Sequence, residues 1–330
     1  MCDIERYGTP TRVLLIDKLV VCMGGDVVSY FPINEDEISL IKFIAKYQYL
    51  NVKDAKYFFY SSRYYRNRIK DLIDKKFLRK IKWILVLGKS GIQYVQALNF
   101  EYNKLNKNEK YRERLLRLSN IAAFYCNCNT VHFTPSFAIK DKQVLTTTGR
   151  RFIGIFDING FDYLVYQILK EHDNKYIESV IFDIQKERKY NNIIVLIDNM
   201  NRIDLDDFAF GKNQVLVIED TQINREKLKY LHSVRWKELI DKCYNGVYLA
   251  KYSFCEYIND VDKFINTFFF IDTEKIIRLK FFMRESPSKK AYIICNAELE
   301  AILRKELPEA NYCVVDLENY IDKERRYYYC

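Results

Sequence analysis

Arg63, Arg66, Asn67 and Lys70 stand at offsets of 0, 3, 4 and 7, the spacing of one face of a helix. Their types suit base recognition. A guanidinium can pair bidentately with N7 and O6 of guanine, and a carboxamide with N6 and N7 of adenine. The other side of the same segment, Tyr65, Ile69, Leu72 and Ile73, is apolar at offsets of 0, 4, 7 and 8. One face would pack while the other meets a polyanion. Arg79, Lys80, Lys82 and Lys89 follow closely and suit phosphates, whose counterions they would release. Ser61 and Ser62 precede the helix, where their hydroxyls could hold a phosphate. The expected DNA-contacting set is therefore Ser61, Ser62, Arg63, Arg66, Asn67, Lys70, Arg79, Lys80, Lys82 and Lys89. Tyr64 and Tyr65 read as packing residues.

The elements that would position this set are legible. Asn34 followed by Glu37 is a capping box, and Glu35, Asp36 and Glu37 suit the positive end of a helix dipole. Apolar spacing then predicts a first helix over about 35–48. Asn51 is placed to cap a short second helix, 52–58, and 60–62 reads as a tight turn. The third helix spans about 63–75. Two strand-like runs, 77–82 and 83–87, form a basic hairpin, and Gly88-Lys89-Ser90-Gly91 opens a helix over 92–98. Residues 12–22 and 27–30 read as strands ahead of these helices. Three short helices and a basic hairpin make a winged helix-turn-helix, with the third helix in the major groove and the wing on the backbone.

Charge follows the same division. The chain has 330 residues and a net charge of +9, but residues 1–150 carry +12 and residues 151–330 carry −3. Residues 63–89 alone carry +8. A basic block beside a near-neutral remainder is the footprint of polyanion binding by one end of the molecule. Residues 101–118, with Lys104, Lys107, Lys110, Arg112, Arg114 and Arg117 among apolar residues, read as a linker helix with a wet basic side, continuing to Tyr125. Pro135 and Thr146-Thr147-Thr148-Gly149 place a boundary within 129–150. The expected organisation is a winged-helix domain at 1–100, a basic helical connector at 101–150 and an α/β domain at 151–330. The fold class is α+β.

The C-terminal part reads as strand (152–158), Asn159-Gly160 type I′ turn, strand (161–169), helix (175–190) and buried strands (193–197 and 214–218). Further strands (264–271, 291–295 and 312–315) alternate with helices (273–284 and 297–307). Such alternation predicts a mostly parallel sheet. Hairpin, helix and strand also match the order of a restriction-endonuclease-like core. That chemistry needs an Asp and then a Glu-x-Lys to hold a divalent metal. Asp157 and Asp162 flank the turn, but the following strand carries no Glu-x-Lys. Asp198, Asp204, Asp206 and Asp207, like Glu219-Asp220, read as solvated acidic loops. Glycine-rich nucleotide loops and a GxSxG elbow are absent from the sequence, and His132, His172 and His232 form no metal motif. The nine cysteines are scattered and read as reduced thiols. No cofactor and no resident metal are expected. The N-terminus lacks a signal-peptide layout and no apolar run nears the ~18 residues of a membrane span, so the expectation is a cytoplasmic protein without a membrane partner.

The run IKFIAKYQYLNVKDAKYFFYSSRYYRNRIKDLIDKKFLRKI, then LGKSGIQYV, YRERLLRLSNIAAFY and the hairpin-helix-strand region, resembles the replication-relaxation family of Gram-positive plasmids and conjugative elements, over roughly residues 35–220. The resemblance implies an N-terminal winged helix on plasmid DNA and a role in replication or in the relaxosome. It also implies a degenerate nuclease-like C-terminal region. The expectation is a non-enzymatic protein that binds double-stranded DNA at a specific site, serves replication, mobilisation or maintenance of a mobile element, and meets replication or relaxosome proteins, with a homodimer as one arrangement. The alternatives are a metal-dependent nuclease using Asp157 and Asp162, and a transcription regulator with a C-terminal sensing domain.

Overall fold

The computed structural model of the chain describes residues 33–60, 64–106, 108–139, 151–208, 213–232, 236–244, 246–251, 255–259 and 263–316. The strands expected at 12–22 and 27–30 lie outside the described residues, as do Ser61, Ser62 and Arg63.

Helix α1 (Glu35–Tyr47) starts at the capping box, with Asn34 and Glu37 each accepting the other's backbone N–H at 2.9 Å. Strand β1 (Leu50–Asn51) follows, then a 3₁₀ turn, Asp54–Phe58, instead of the expected capped helix. Asn51 does not cap it. Its backbone pairs in β1 and its side-chain amide donates to Asp54. Helix α2 (Tyr64–Asp74), strands β2 (Leu78–Ile81) and β3 (Ile84–Leu87) and helix α3 (Lys89–Ala97) complete this part. The three strands form an antiparallel sheet in the order β1-β3-β2. Helix α3 begins three residues earlier than the sequence predicts because Gly88 is already its N-cap. A Cβ on Gly88 would stand 2.2 Å from the Lys76 carbonyl oxygen, so glycine lets this helix start against the α2–β2 junction.

Helix α4 (Glu109–Phe124) is no solvated linker. Leu115 and Leu116 pack under β3 with Ile84 and Val86, while Leu118, Ile121, Ala122 and Phe124 pack on the large sheet. Strand β4 (Val131–Pro135), read as boundary, is the edge of that sheet, where a proline is tolerated. Strands β5 (Gly154–Ile158) and β6 (Phe161–Ile168) meet at Asn159-Gly160, both with positive φ (53° and 83°), as a type I′ turn requires. Helix α5 (Asn174–Lys186) ends four residues short of the predicted end. The buried Glu187 carboxylate accepts the backbone N–H of Arg188, Lys189 and Tyr190 and turns the chain. Strands β7 (Asn192–Ile197) and β8 (Gln214–Glu219) follow, then helices α6 (Gln222–Leu228) and α7 (Trp236–Cys243) and strands β9 (Val247–Leu249) and β10 (Tyr257–Asn259).

The run 264–271, read as one strand, is two. Strand β11 (Phe264–Phe268) pairs with β10 and with β13 (Ala291–Cys295), whereas β12 (Ile271–Asp272) pairs with β8 in the other sheet. Helix α8 (Thr273–Glu285) precedes β13, and α9 (Ala297–Glu306) leads to β14 (Asn311–Val314). The expected mostly parallel sheet is thus two mixed sheets. One has the order β12-β8-β7-β6-β5-β4, parallel only within β6-β7-β8. The other has the order β14-β13-β11-β10-β9, parallel only within β11-β13-β14. Helical crossovers impose the parallel pairs, and the two-residue Asn159-Gly160 turn makes β5 and β6 antiparallel. The molecule is a mixed α+β fold. Helix α4 covers one face of the six-stranded sheet and α5 the other.

Candidate nucleic-acid interface

Helix α2 buries Tyr65, Ile69 and Leu72 against α1 and the hairpin, in a core with Leu40, Ile44, Leu78 and Leu85. The buried face fixes the outward one. Arg66, Asn67 and Lys70 are all exposed, and no carboxylate pairs with any of them among the described residues. Arg66 lies over the Tyr65 ring, 6.0 Å from its centroid.

Arg68, between these positions, points elsewhere. Its Nε and Nη2 donate to Glu37 Oε1 and Oε2 at 2.6 and 2.8 Å, and Glu37 is fully buried. The fork-to-carboxylate geometry tolerates little rotation. It ties α2 to the first turn of α1 and sets which way Arg66, Asn67 and Lys70 face. The hydrogen bonds from Arg68 hold its guanidinium more firmly charged than usual. Sequence reasoning missed this pair because Arg68 looks like one more basic residue. The signal was Glu37, already assigned to the capping box, with oxygens to spare.

The hairpin carries Arg79, Lys80 and Lys82, all exposed. Lys82 and Trp83 form its two-residue turn, with Lys82 at φ 54°. Strand alternation puts Arg79 and Lys80 on opposite faces of β2, so they do not form one row. Trp83 is 55% exposed at the tip, and Tyr64 is 47% exposed at the start of α2. Both add flat apolar surface beside the cations. Lys89 is the first residue of α3 and exposed.

The carboxylates weighed for metal chemistry have local work. Asp157 and Asp162 are cross-strand partners beside the β5–β6 turn, and Asp157 Oδ1 accepts the Gly160 N–H at 2.8 Å. Burial, and then the neighbouring Asp157, raise the Asp162 pKa from its ordinary value. Where a nuclease strand would carry its second acid, β6 has Gln167, buried and donating to Asp220. Asp198 accepts the Lys170 N–H, Asp204 the Asp206 N–H, and Asp206 pairs with Lys280. Among the described residues no group of three or more His, Cys, Asp and Glu is arranged to hold a metal ion.

Comparison with known proteins adds no relative: no family model, curated protein or solved structure matches this chain.

Proposed function

We propose that this chain binds double-stranded DNA at a specific site as a winged helix-turn-helix, with α2 in the major groove and the β2–β3 hairpin on the phosphate backbone. The observation that carries the reading is the outward face of α2. Arg66, Asn67 and Lys70 are presented together without counter-charges, on a helix whose rotation is fixed by Arg68 and Glu37. The order helix, strand, short helix, helix, hairpin and the three-stranded sheet support it. The residue types match base-edge readout, two pairing groups and one point charge. In this reading the protein is not an enzyme; Asp157 holds the Gly160 N–H of the β5–β6 turn. Its place in replication, mobilisation or maintenance of a mobile element rests on the resemblance of residues 35–220 alone.

The test is binding of the full chain to short labelled duplexes from its own replicon at two salt concentrations. One duplex should bind tightly and salt-sensitively, and Arg66→Ala should narrow its advantage over the others. Equal binding of all duplexes by the parent and by Arg66→Ala would overturn the assignment of α2.

A further inference from the structure

A second basic cluster lies away from α2 and the hairpin, at the carboxyl end of β6. This strand is the first of the three parallel strands, and its other neighbour, β5, runs antiparallel to it. In open parallel α/β sheets ligands gather beyond the carboxyl ends of the strands. Here Arg114 and Arg117 arrive from α4, Arg151 from the segment before β5, and Tyr176 from the first turn of α5. The Tyr176 hydroxyl lies within electrostatic reach of all three arginines.

The surroundings are built. Arg202 donates to the carbonyls of Leu169 and His172 at 2.7 and 2.6 Å and holds the β6–α5 loop. The Leu169 N–H donates to His172 Nδ1, which leaves Nε2 as the donor nitrogen of the neutral ring. The His172 and Tyr176 rings stack with centroids 3.7 Å apart. Three carboxylates, Asp183, Asp198 and Glu171, stand near the four arginines. Asp183 is bonded to Arg151 at 3.0 Å and Asp198 to the Lys170 N–H. Glu171, itself exposed, stands 3.9 Å from Arg117. Among the described residues Arg114 reaches only the Ser136 hydroxyl, at 3.4 Å. The Nε of Arg117 is buried and has no hydrogen-bond partner among the described residues. Burial lowers the pKa of this guanidinium, and Arg114 adds to the effect. A partly buried guanidinium with an unmade bond is costly, and its fork fits a phosphate or a carboxylate.

The geometry points to a phosphate-binding site formed by Arg114, Arg117, Arg151 and Tyr176, with His172 Nε2 as a further donor. Its ligand is a phosphate group, carried either by a free phosphorylated small molecule or by a nucleic-acid backbone. No residue of the α2–hairpin surface takes part, so the site does not depend on the DNA-binding reading.

The experiment uses the full chain with inorganic phosphate and pyrophosphate, against chloride at equal ionic strength, reading the unfolding temperature. A short duplex is titrated in parallel. Arg117→Gln is the direct variant. Arg114→Gln, on a loosely held side chain, is the companion that keeps the test valid if the first unfolds. Saturable stabilisation by phosphate or pyrophosphate, with midpoints raised about tenfold in a variant, identifies a free phosphorylated ligand. Stabilisation absent, but a duplex salt slope lowered by about one in the variant, identifies a backbone phosphate. If neither response differs between parent and variants, the site is refuted. Failure of the parent to bind any duplex would count against the α2 reading and leave the phosphate arm to decide this one.

Discussion

The α2–hairpin surface and the two large sheets use their cations in opposite ways. In the sheet region basic side chains meet acids: Arg225 with Asp220, Lys227 with Glu298, Lys275 with Glu256, Arg304 with Glu300, and Lys280 with both Asp206 and Glu306. Among the described residues of α2 and the hairpin, Arg68 alone is matched to a buried acid, while Arg66, Lys70, Lys80 and Lys82 face solvent without one. The difference separates cations paired within the fold from cations at the surface with no carboxylate beside them among the described residues.

Breaking the one matched cation of α2 should have the largest effect. Glu37→Ala leaves Arg68 half-buried without its carboxylate and removes an N-terminal cap, and should cost about 3–5 kcal/mol in denaturant unfolding. A cost under about 1 kcal/mol would mean that the pair does not fix α2. Next comes Asn67→Ala, expected to lose about 1–3 kcal/mol on the preferred duplex and to relax base preference at one position. Its unfolding free energy should stay within about 0.5 kcal/mol of the parent. Unchanged base preference would remove Asn67 from the interface.

Lys82→Ala against Lys280→Ala sharpens the contrast directly. The first should weaken all duplexes alike and lower the salt slope by about one, with stability unchanged. The second should leave duplex binding alone and cost up to about 1 kcal/mol of stability. Exchange of these two phenotypes would invert the comparison. The smallest expected effect is on pH dependence. Burial depresses the pKa of both His172 and His232 below their ordinary value of 6.5, and the His232 ring is hydrogen-bonded to the Tyr163 hydroxyl. As pH falls through the unfolded value, the unfolded chain takes up the protons first. Stability is therefore full at neutral pH and declines on acidification below about 6.5. The decline should be shallower in His232→Gln, measured as unfolding temperature against pH. An identical slope would exclude His232 as a contributor.

What was legible in the sequence was local. The capping box of α1, the two faces of α2, the hairpin and the Asn159-Gly160 turn all follow from residues within a few positions of one another. What was not legible was set over distance. Arg68 meets Glu37 across 31 positions, and nothing near Arg68 distinguishes it from Arg66. The apolar run through Phe264 and Ile271 has no break at Phe269-Phe270, because burial is as complete at the passage between sheets as within them. Pro135 reads as a strand breaker, yet an edge strand with a free side accepts it. Helix α4 reads as wet because its cations lie at the margins of a helix buried by Leu115, Leu118 and Ile121. At the candidate site, Arg66, Asn67 and Lys70 came from periodicity, whereas the opposed faces of Arg79 and Lys80 needed the pairing register of β2.

The passage of the chain at Phe269-Phe270 also bears on how this protein can be divided. Ile271 and Asp272 close the flank of β8, an apolar strand (Val215, Leu216, Val217 and Ile218) whose unpaired N–H and C=O groups would otherwise be available to any extended peptide. A chain cut ahead of Ile271 would keep every residue of the α2–hairpin surface and still expose a template for strand-to-strand aggregation. Ending before β8 would bare the apolar edge of β7 in the same way, so soluble truncations of this protein should extend past Asp272.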